Sequence, residues 1–213
     1  MTGPRLSWLG DSCLSIEFEP RIDPDINAQC VALAADIDRE ALPGVRDVVP
    51  AFRSVAIHFD PLRMVRAHLE AVVGDLIARP PNPASEQEVP FQVPVEYGGL
   101  DLGAVAAFAR CSEDDVVRIH TGRVYRVYML GFLPGFAYMA PVDARIAMPR
   151  LETPRLRVEA GSVAIAGRQT GVYPFDSPGG WRIIGRSTMR VFDPGRHKPC
   201  VFRAGQRVQF IAA

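Results

Sequence analysis

Leu14, Ile16 and Phe18 alternate with Ser15 and Glu17, the period-two pattern of a strand with one buried face. Asp23-Pro24 then predicts a helix start, with Asp as the capping acceptor and Pro at the first helical position. Ile26, Cys30, Leu33 and Ile37 recur at helical spacing, and the helix is expected to run through Ala41 until Pro43-Gly44 stops it. Val45–Pro50 and Phe52–Phe59 read as two adjacent strands. Asp60-Pro61 repeats the start device, so a second helix is expected there, with Leu62, Val65, Leu69, Val72, Val73 and Leu76 along one face. The order strand-helix-strand-strand-helix is most of a ferredoxin-like split βαβ unit, whose final strand is expected around Val89–Val95.

The strongest punctuation is Arg79-Pro-Pro-Asn-Pro-Ala-Ser-Glu-Gln-Glu88, where prolines remove backbone donors and the polar tail has nothing to bury. It reads as a linker between a domain at 1–85 and another at 86–213. After it, helix is confined to Asp101–Arg110 and to a second segment that Ser112-Glu-Asp-Asp115 opens as a capping box. From Val124 onward, Gly and Pro interrupt short apolar runs: Val124–Leu130, Ser162–Ala166, Trp181–Ile184, Met189–Phe192 and Val208–Ile211. Many short strands with Gly/Pro turns predict a β-barrel or sandwich, so the expected class is α+β in two unlike domains.

Composition narrows the class. The chain is 48% hydrophobic and 23% charged, which excludes an intrinsically disordered protein. Its 24 basic and 24 acidic residues cancel, arguing against a general nucleic-acid binder. The cancellation hides an asymmetry: residues 1–100 hold 8 basic and 15 acidic groups, a net of −7, whereas residues 101–213 hold 16 and 9, a net of +7. Cys13, Cys30, Cys111 and Cys200 have no metal-ligand spacing, so no metal is expected. No apolar run is long enough for a signal peptide or a membrane span, and a cytoplasmic protein with free thiols is the expectation.

Gly10-Asp11-Ser12 invites comparison with lipases that use a Gly-Asp-Ser nucleophile, with Asp193 and His197 as partners. Those enzymes space the pair as Asp-x-x-His, and Asp193-Pro-Gly-Arg-His197 has one residue too many, so a polar turn before the first strand is the favoured reading. There is no Gly-x-x-x-x-Gly-Lys phosphate loop, no Gly-x-Gly-x-x-Gly and no His-Glu-x-x-His. The candidate chemistry lies on glycine-rich loops between Tyr125 and Arg186, which carry Arg150, Arg155, Gln169, Thr170, Tyr173, Ser177 and Arg186. Glycine lets a ligand approach the backbone, and these side chains bind anions or amides. Small barrels also need glycine at bends and arginine on the surface, and spacing alone does not choose between the two readings.

Those loops carry a resemblance. Tyr125-Arg-Val-Tyr-Met-Leu-Gly-Phe-Leu-Pro-Gly-Phe-Ala-Tyr138, the pair Pro149-Arg150 and Thr153-Pro-Arg155, Gly161-Ser-Val-Ala-Ile-Ala-Gly-Arg-Gln-Thr-Gly171 and Ser177-Pro-Gly-Gly-Trp181 are similar to the signature blocks of the 5-oxoprolinase B-type subunits (PxpB), a family also called KipI-like or allophanate hydrolase subunit 1. Gly10-Asp11, Leu42-Pro-Gly44, Pro50-Ala-Phe-Arg-Ser54, Asp60-Pro61, Val93-Pro94 and Tyr97-Gly-Gly99 also fit, in order, over nearly the whole chain. Departures are Glu159 and Ala164, where Pro and Gly are expected, and Arg168 in place of a small residue.

The resemblance implies a cyclophilin-like barrel after the small N-terminal domain. It also implies partners: a homologous C-type subunit, which is KipA-like or allophanate hydrolase subunit 2, and a LamB/YcsF-like A-type subunit. Together they would open 5-oxoproline to glutamate with ATP, a cofactor for which this chain has no P-loop. In that reading Arg150 and Arg155 clamp a carboxylate or phosphate, and Gln169 with Thr170 holds the lactam amide. Tyr173, Ser177 and Arg186 complete the wall, and His120 handles a proton. Two alternatives share the fold: a non-catalytic inhibitor of a sensor histidine kinase, and a member of a urea- or allophanate-processing complex.

Overall fold

A computed structural model describes residues 3–79 and 89–213. Contacts divide the chain into two compact units, 1–87 and 88–213. The expected linker and the expected 85/86 boundary lie outside the described residues.

The first unit contains β1 (Arg5–Trp8), β2 (Cys13–Glu17), α1 (Pro24–Arg39), β3 (Val45–Pro50), β4 (Ser54–Phe59) and α2 (Arg66–Ala78). The strands form one antiparallel sheet in the order β1-β2-β4-β3. The cap works as the sequence predicts: the Asp23 carboxylate accepts from the Asp25 and Ile26 N–H groups, at 2.9 and 3.2 Å. Ile26, Cys30, Leu33 and Ile37 are buried against Leu14, Ile16, Ile57 and Phe59 of the sheet and Leu69, Val73 and Leu76 of α2. Burial pushes the Cys30 thiol up to about 12, so it sits here as a small apolar side chain.

Three expectations for this unit need correction. The α2 helix starts at Arg66, because the Asp60 carboxylate closes a turn on the Leu62 N–H at 3.0 Å and pairs with Arg46 at 3.0 Å. Leu62 and Val65 are consequently exposed. The segment expected to be the last strand of the unit, around Val89–Val95, belongs to the barrel. The sheet position beside β2 is filled by β1, a strand the pattern did not show. Trp8 anchors that strand: its indole N–H donates to Glu70 at 2.8 Å, Arg66 lies over its ring at 4.7 Å, and Phe59 meets it edge-on. Gly10-Asp11-Ser12 is the turn of the β1–β2 hairpin, with Gly10 at φ +69°.

The second unit runs β5 (Phe91–Tyr97), α3 (Leu102–Ala109), α4 (Glu113–Thr121), β6 (Val124–Leu130), β7 (Ala137–Ala140), a 3-10 turn at Ala144–Ile146, β8 (Arg155–Val158), β9 (Ser162–Ala166), β10 (Gln169–Val172), β11 (Ser177–Gly179), β12 (Arg182–Arg186) and β13 (Arg207–Ala212). Seven strands close a barrel in the order β10-β7-β6-β13-β5-β12-β9, and β8 pairs with β11 in a separate two-stranded sheet. The fold is α+β, with a ferredoxin-like unit followed by a cyclophilin-like barrel. All barrel pairs are antiparallel except β5 with β13, which run parallel from Phe91 against Val208. That pairing explains why the apolar run at Val89–Val95 is needed here. Met189–Phe192 forms no strand; it contributes only an isolated bridge between Phe192 and Cys200.

The barrel interior is filled by Val93, Val95, Tyr125, Val127, Met139, Val163, Ile165, Val172, Ile184, Val208 and Phe210, with Leu102 and Val105 of α3 and Val116 of α4 packed onto it. The Ser112–Asp115 capping box that opens α4 is present in both directions. All four cysteines are free, and among the described residues no helix is long and apolar enough to cross a membrane.

Glycine is required where β5 leaves the barrel. A Cβ on Gly99 would sit 2.6 Å from the Gly185 nitrogen and the Ile183 oxygen, both backbone atoms that cannot swing aside. Gly99→Ala is expected to cost about 1–3 kcal/mol as overpacking does, measured as a lower urea midpoint of the full chain; an unchanged midpoint would show that the strand ends can part freely.

Candidate functional site

Tyr97-Gly-Gly-Leu-Asp101 leaves β5 and lies along β12. Gly98 and Gly99 both donate to the Ile184 carbonyl, at 3.3 and 3.1 Å, and Asp101 N–H donates to the Ile183 carbonyl at 2.8 Å. Asp101 stands at the N-cap of α3 but caps nothing with its side chain. Its buried carboxylate instead accepts from Arg155 Nη2 at 2.7 Å and from the Ile183 N–H at 2.7 Å, with Arg182 Nη1 3.9 Å away. Arg155 also donates to the Trp181 carbonyl at 3.3 Å, and Arg182 Nε to the Pro149 carbonyl at 3.0 Å. One carboxylate therefore ties together the start of α3, β8, β12 and the loop before β8.

Beside this network a cavity of about 520 Å³ opens to solvent, lined by Tyr97, Gly98, Gly99, Arg155, Arg157 and Arg186 among others. Gly98 has φ +131°, and an added Cβ there would meet nothing within 4 Å, so the backbone faces open space. Arg157 donates to Asp176 through Nε and Nη2 at 2.9 and 2.6 Å, and Arg186 pairs with Glu159 at 3.0 Å. Both pairs are exposed and contribute little stability, so a ligand anion can exchange with either carboxylate at small cost. Arg155, by contrast, is committed to Asp101.

His120 lies elsewhere. Its ring has no exposed surface and stacks among Tyr97, Tyr125 and Phe210 in the barrel interior. Burial lowers its pKa to about 3, so the ring is neutral. The Thr170 hydroxyl donates to the Ala164 carbonyl at 2.9 Å, which leaves its oxygen to accept from His120 Nε2 at 3.0 Å. Nδ1 must then accept from the Tyr97 hydroxyl at 2.7 Å, and every proton in the chain Tyr97–His120–Thr170–Ala164 has one direction. The expectation that His120 exchanges protons with a substrate meets a physical obstacle: both nitrogens are engaged and no solvent reaches them. Thr170 is equally buried, so a lactam amide cannot reach its hydroxyl in this conformation.

The motif aromatics make a second small core. Phe136 packs edge-on against Tyr138, Tyr173 and Trp181, with ring centroids 5.0–5.3 Å apart. Tyr173 is buried in it; burial raises its phenol, partly offset by a hydrogen bond from the Trp181 backbone. Ser177 is buried as well, and its hydroxyl has no hydrogen-bond partner among the described residues. Phe132, which packs on Phe136, holds φ +71°, a left-handed conformation uncommon for a bulky residue.

The sequence-predicted residues thus fall into separate places. Arg155 and Arg186 meet at the cavity; Tyr173 and Ser177 sit in or beside the aromatic core; His120 and Thr170 are inside the barrel. Arg150 is exposed on the loop before β8, and Gln169 is half-buried at the start of β10. Asp101 and Arg182 were missed. Their importance comes from partners far along the chain, and no local motif marks them. Among the described residues, no group of three or more His, Cys, Asp or Glu is placed to hold a metal ion.

A closed barrel with glycine-walled loops, preceded by a split βαβ unit, defines the class. A family model for the carboxyltransferase domain, subdomain C and D, matches residues 4–202, and the chain belongs to that family. Its relatives within the family carry a particular name, that of the 5-oxoprolinase B-type subunits. The one from Bacillus subtilis (strain 168) is 39% identical over 221 residues, covering 97% of this chain and 92% of the relative. The one from Escherichia coli O157:H7 is 34% identical over 220 residues, covering 99% and 97%. The crystal structure of TTHA0988 matches with a TM-score of 0.87 at 38% identity over 94% of this chain, which spans only 40% of that longer protein. The urea carboxylase of Kluyveromyces lactis shares the fold, with a TM-score of 0.73 at 19% identity over 99% of this chain and 22% of that one.

Two outcomes follow from the buried groups. Asp101→Asn leaves two partly buried guanidinium groups without their carboxylate and is expected to cost about 3–5 kcal/mol, read from urea unfolding; a loss below about 1 kcal/mol would mean that Arg155 and Arg182 find water instead. The depressed pKa of His120 means that the unfolded chain binds a proton the folded chain refuses between pH 6.5 and about 3. Its contribution is intact above pH 6.5 and is lost on acidification, by about 1.4 kcal/mol per pH unit well inside that window. His120→Gln should flatten the stability–pH slope there, and an unaltered slope would assign acid sensitivity to other groups.

Proposed function

We propose that the chain acts within an ATP-dependent 5-oxoprolinase, together with a homologous C-type subunit and an A-type subunit. The observation that carries this reading is the likeness, over nearly the full length of both partners, to two proteins named as B-type subunits of 5-oxoprolinase. A lactam carbonyl is held unreactive by amide resonance. ATP overcomes this when its terminal phosphoryl group is transferred to the carbonyl oxygen and ADP leaves. One water then adds at the carbonyl carbon as the C–N bond breaks, and phosphate departs from that carbon to leave the carboxylate of glutamate. Each step builds negative charge on oxygen, which cationic and N–H donors stabilise.

In this reading the cavity beside Asp101 receives the substrate carboxylate. Arg186 and Arg157 supply the exchangeable cations, and the open backbone at Gly98 admits the ring. Arg155 is held in place by Asp101 and shapes the wall. Gln169 remains a candidate for the lactam amide from its position on β10. The aromatic core under Tyr173 and Trp181 keeps the loops rigid, as a preorganised site requires.

The test is reconstitution of the full chain with its C-type and A-type partners, following 5-oxoproline-dependent ADP and glutamate. Both products should appear only with all three proteins present. Arg186→Ala and Gln169→Ala should each lower turnover about tenfold or more, the loss of one charged or buried hydrogen bond, while assembly by gel filtration is unchanged. If the three-protein mixture forms neither product and instead responds to urea or to a histidine kinase, the reading is overturned.

A further inference from the structure

Most arginines of the barrel unit are matched to a carboxylate, including Arg118, Arg123, Arg145, Arg155, Arg157 and Arg186. Arg150 and Arg168 are both exposed, and neither has a carboxylate within ion-pair reach among the described residues. They stand on neighbouring turns. The Gly167 N–H donates to the Met148 carbonyl at 2.8 Å, and the Val142 N–H to the Arg168 carbonyl at 2.8 Å, which stitches the β9–β10 turn to the loop that carries Arg150.

The surroundings add positive charge and do not remove it. Arg182 lies against the Arg150 loop through its bond to the Pro149 carbonyl, and shares the single Asp101 carboxylate with Arg155. Asp143, next to Val142, is engaged by Arg145 and Arg123, and the Arg145 hydrogen bond above all lowers its pKa to about 2. Glu152 is exposed and two residues from Arg150, yet forms no ion pair with it among the described residues. Around these turns six arginines, at 123, 145, 150, 155, 168 and 182, face three carboxylates, at 101, 143 and 152, a net of +3. Like charges left adjacent without counter-charge create a local potential that attracts an anion.

We propose that the turns carrying Arg150 and Arg168 form a binding site for a phosphoryl dianion. A phosphoryl group has three terminal oxygens and two charges, so it can accept a guanidinium fork from each of two separate turns. A monocarboxylate has one charge and one pair of oxygens, which a single fork satisfies. Gln169, beside Arg168 and half-buried, adds a neutral amide donor at the same turn. The site does not depend on the lactam-opening reading, since it rests on charge and on the bonding of two turns alone. Its phosphoryl group comes either from free phosphate or from the terminal phosphate of a nucleotide.

The test is isothermal titration of the full chain at low ionic strength with inorganic phosphate, ATP, adenosine and acetate. Phosphate and ATP are expected to compete for one saturable site that adenosine and acetate do not occupy. ATP binding at least about tenfold tighter than phosphate identifies a nucleotide as the source, and equal affinities identify free phosphate. Arg150→Gln and Arg168→Gln should each weaken binding about tenfold, the loss of one charge-assisted pair, and the double variant should abolish it. Arg110→Gln, an exposed arginine after α3, should leave it unchanged, and all variants should keep the wild-type melting temperature. The proposal is overturned by no saturable binding of either phosphate or ATP, by undiminished binding in the double variant, by an equal loss in Arg110→Gln, or by acetate binding as tightly as phosphate.

Discussion

The second unit is organised by one carboxylate. Asp101 is buried, and it satisfies the Ile183 N–H and the Arg155 guanidinium at 2.7 Å each while Arg182 stands close by. Burying a charge is costly unless it is paired and hydrogen-bonded, so the loops that supply its partners are not free to move independently. That single constraint fixes where β5 ends and how the Gly98-Gly99 backbone lies on β12. It also places the guanidinium of Arg155 in the cavity wall. The glycines are the steric counterpart: Gly99 and Gly185 allow the backbones to approach as closely as the carboxylate requires.

Two further devices hold the barrel on either side of its wall. Inside, the chain from Tyr97 through His120 and Thr170 to Ala164 ends on a carbonyl that can only accept, which sets the tautomer of a buried histidine. Outside, Phe136, Tyr173 and Trp181 form an aromatic core around which the motif loops are wrapped. Ala164 belongs to both, since its carbonyl closes the inner chain and its side chain packs in the outer core. The motif residues that resemble an active-site signature are therefore, in large part, residues that make a rigid wall. Ligand-facing chemistry is left to the few side chains that the wall carries outward.

How far the chain could be read from its sequence depended on how local each cause was. The start of α1 was legible because Asp23 and Pro24 act within one turn. The same dipeptide at Asp60-Pro61 misled, because Asp60 also meets Arg46 and closes a turn before the helix begins. The β1 strand was invisible because its anchors, Arg66 and Glu70, lie far along the chain. The run at Val89–Val95 showed a strand and not its sheet, since its parallel partner is at the other end of the unit. The site divides in the same way. Arginines on glycine-rich loops announce a candidate surface, and Arg155 and Arg186 do meet there. Asp101 carries no such mark; its partners lie 54 and 82 positions away.

The half of the chain beyond residue 100 carries a net +7, and that excess is not spread evenly. At the cavity, Arg157 and Arg186 have exposed carboxylate partners that solvent already weakens, so an incoming anion replaces one ion pair with another. At the turns of Arg150 and Arg168 no such partner stands among the described residues, so an incoming anion forms pairs where none existed. The first surface is suited to exchange and selection by shape; the second is suited to capture by charge, with the steep salt dependence that exposed pairs impose. Arg155 and Arg182 meet at Asp101 between them, so the same buried carboxylate that builds the cavity wall also supports the charged turn.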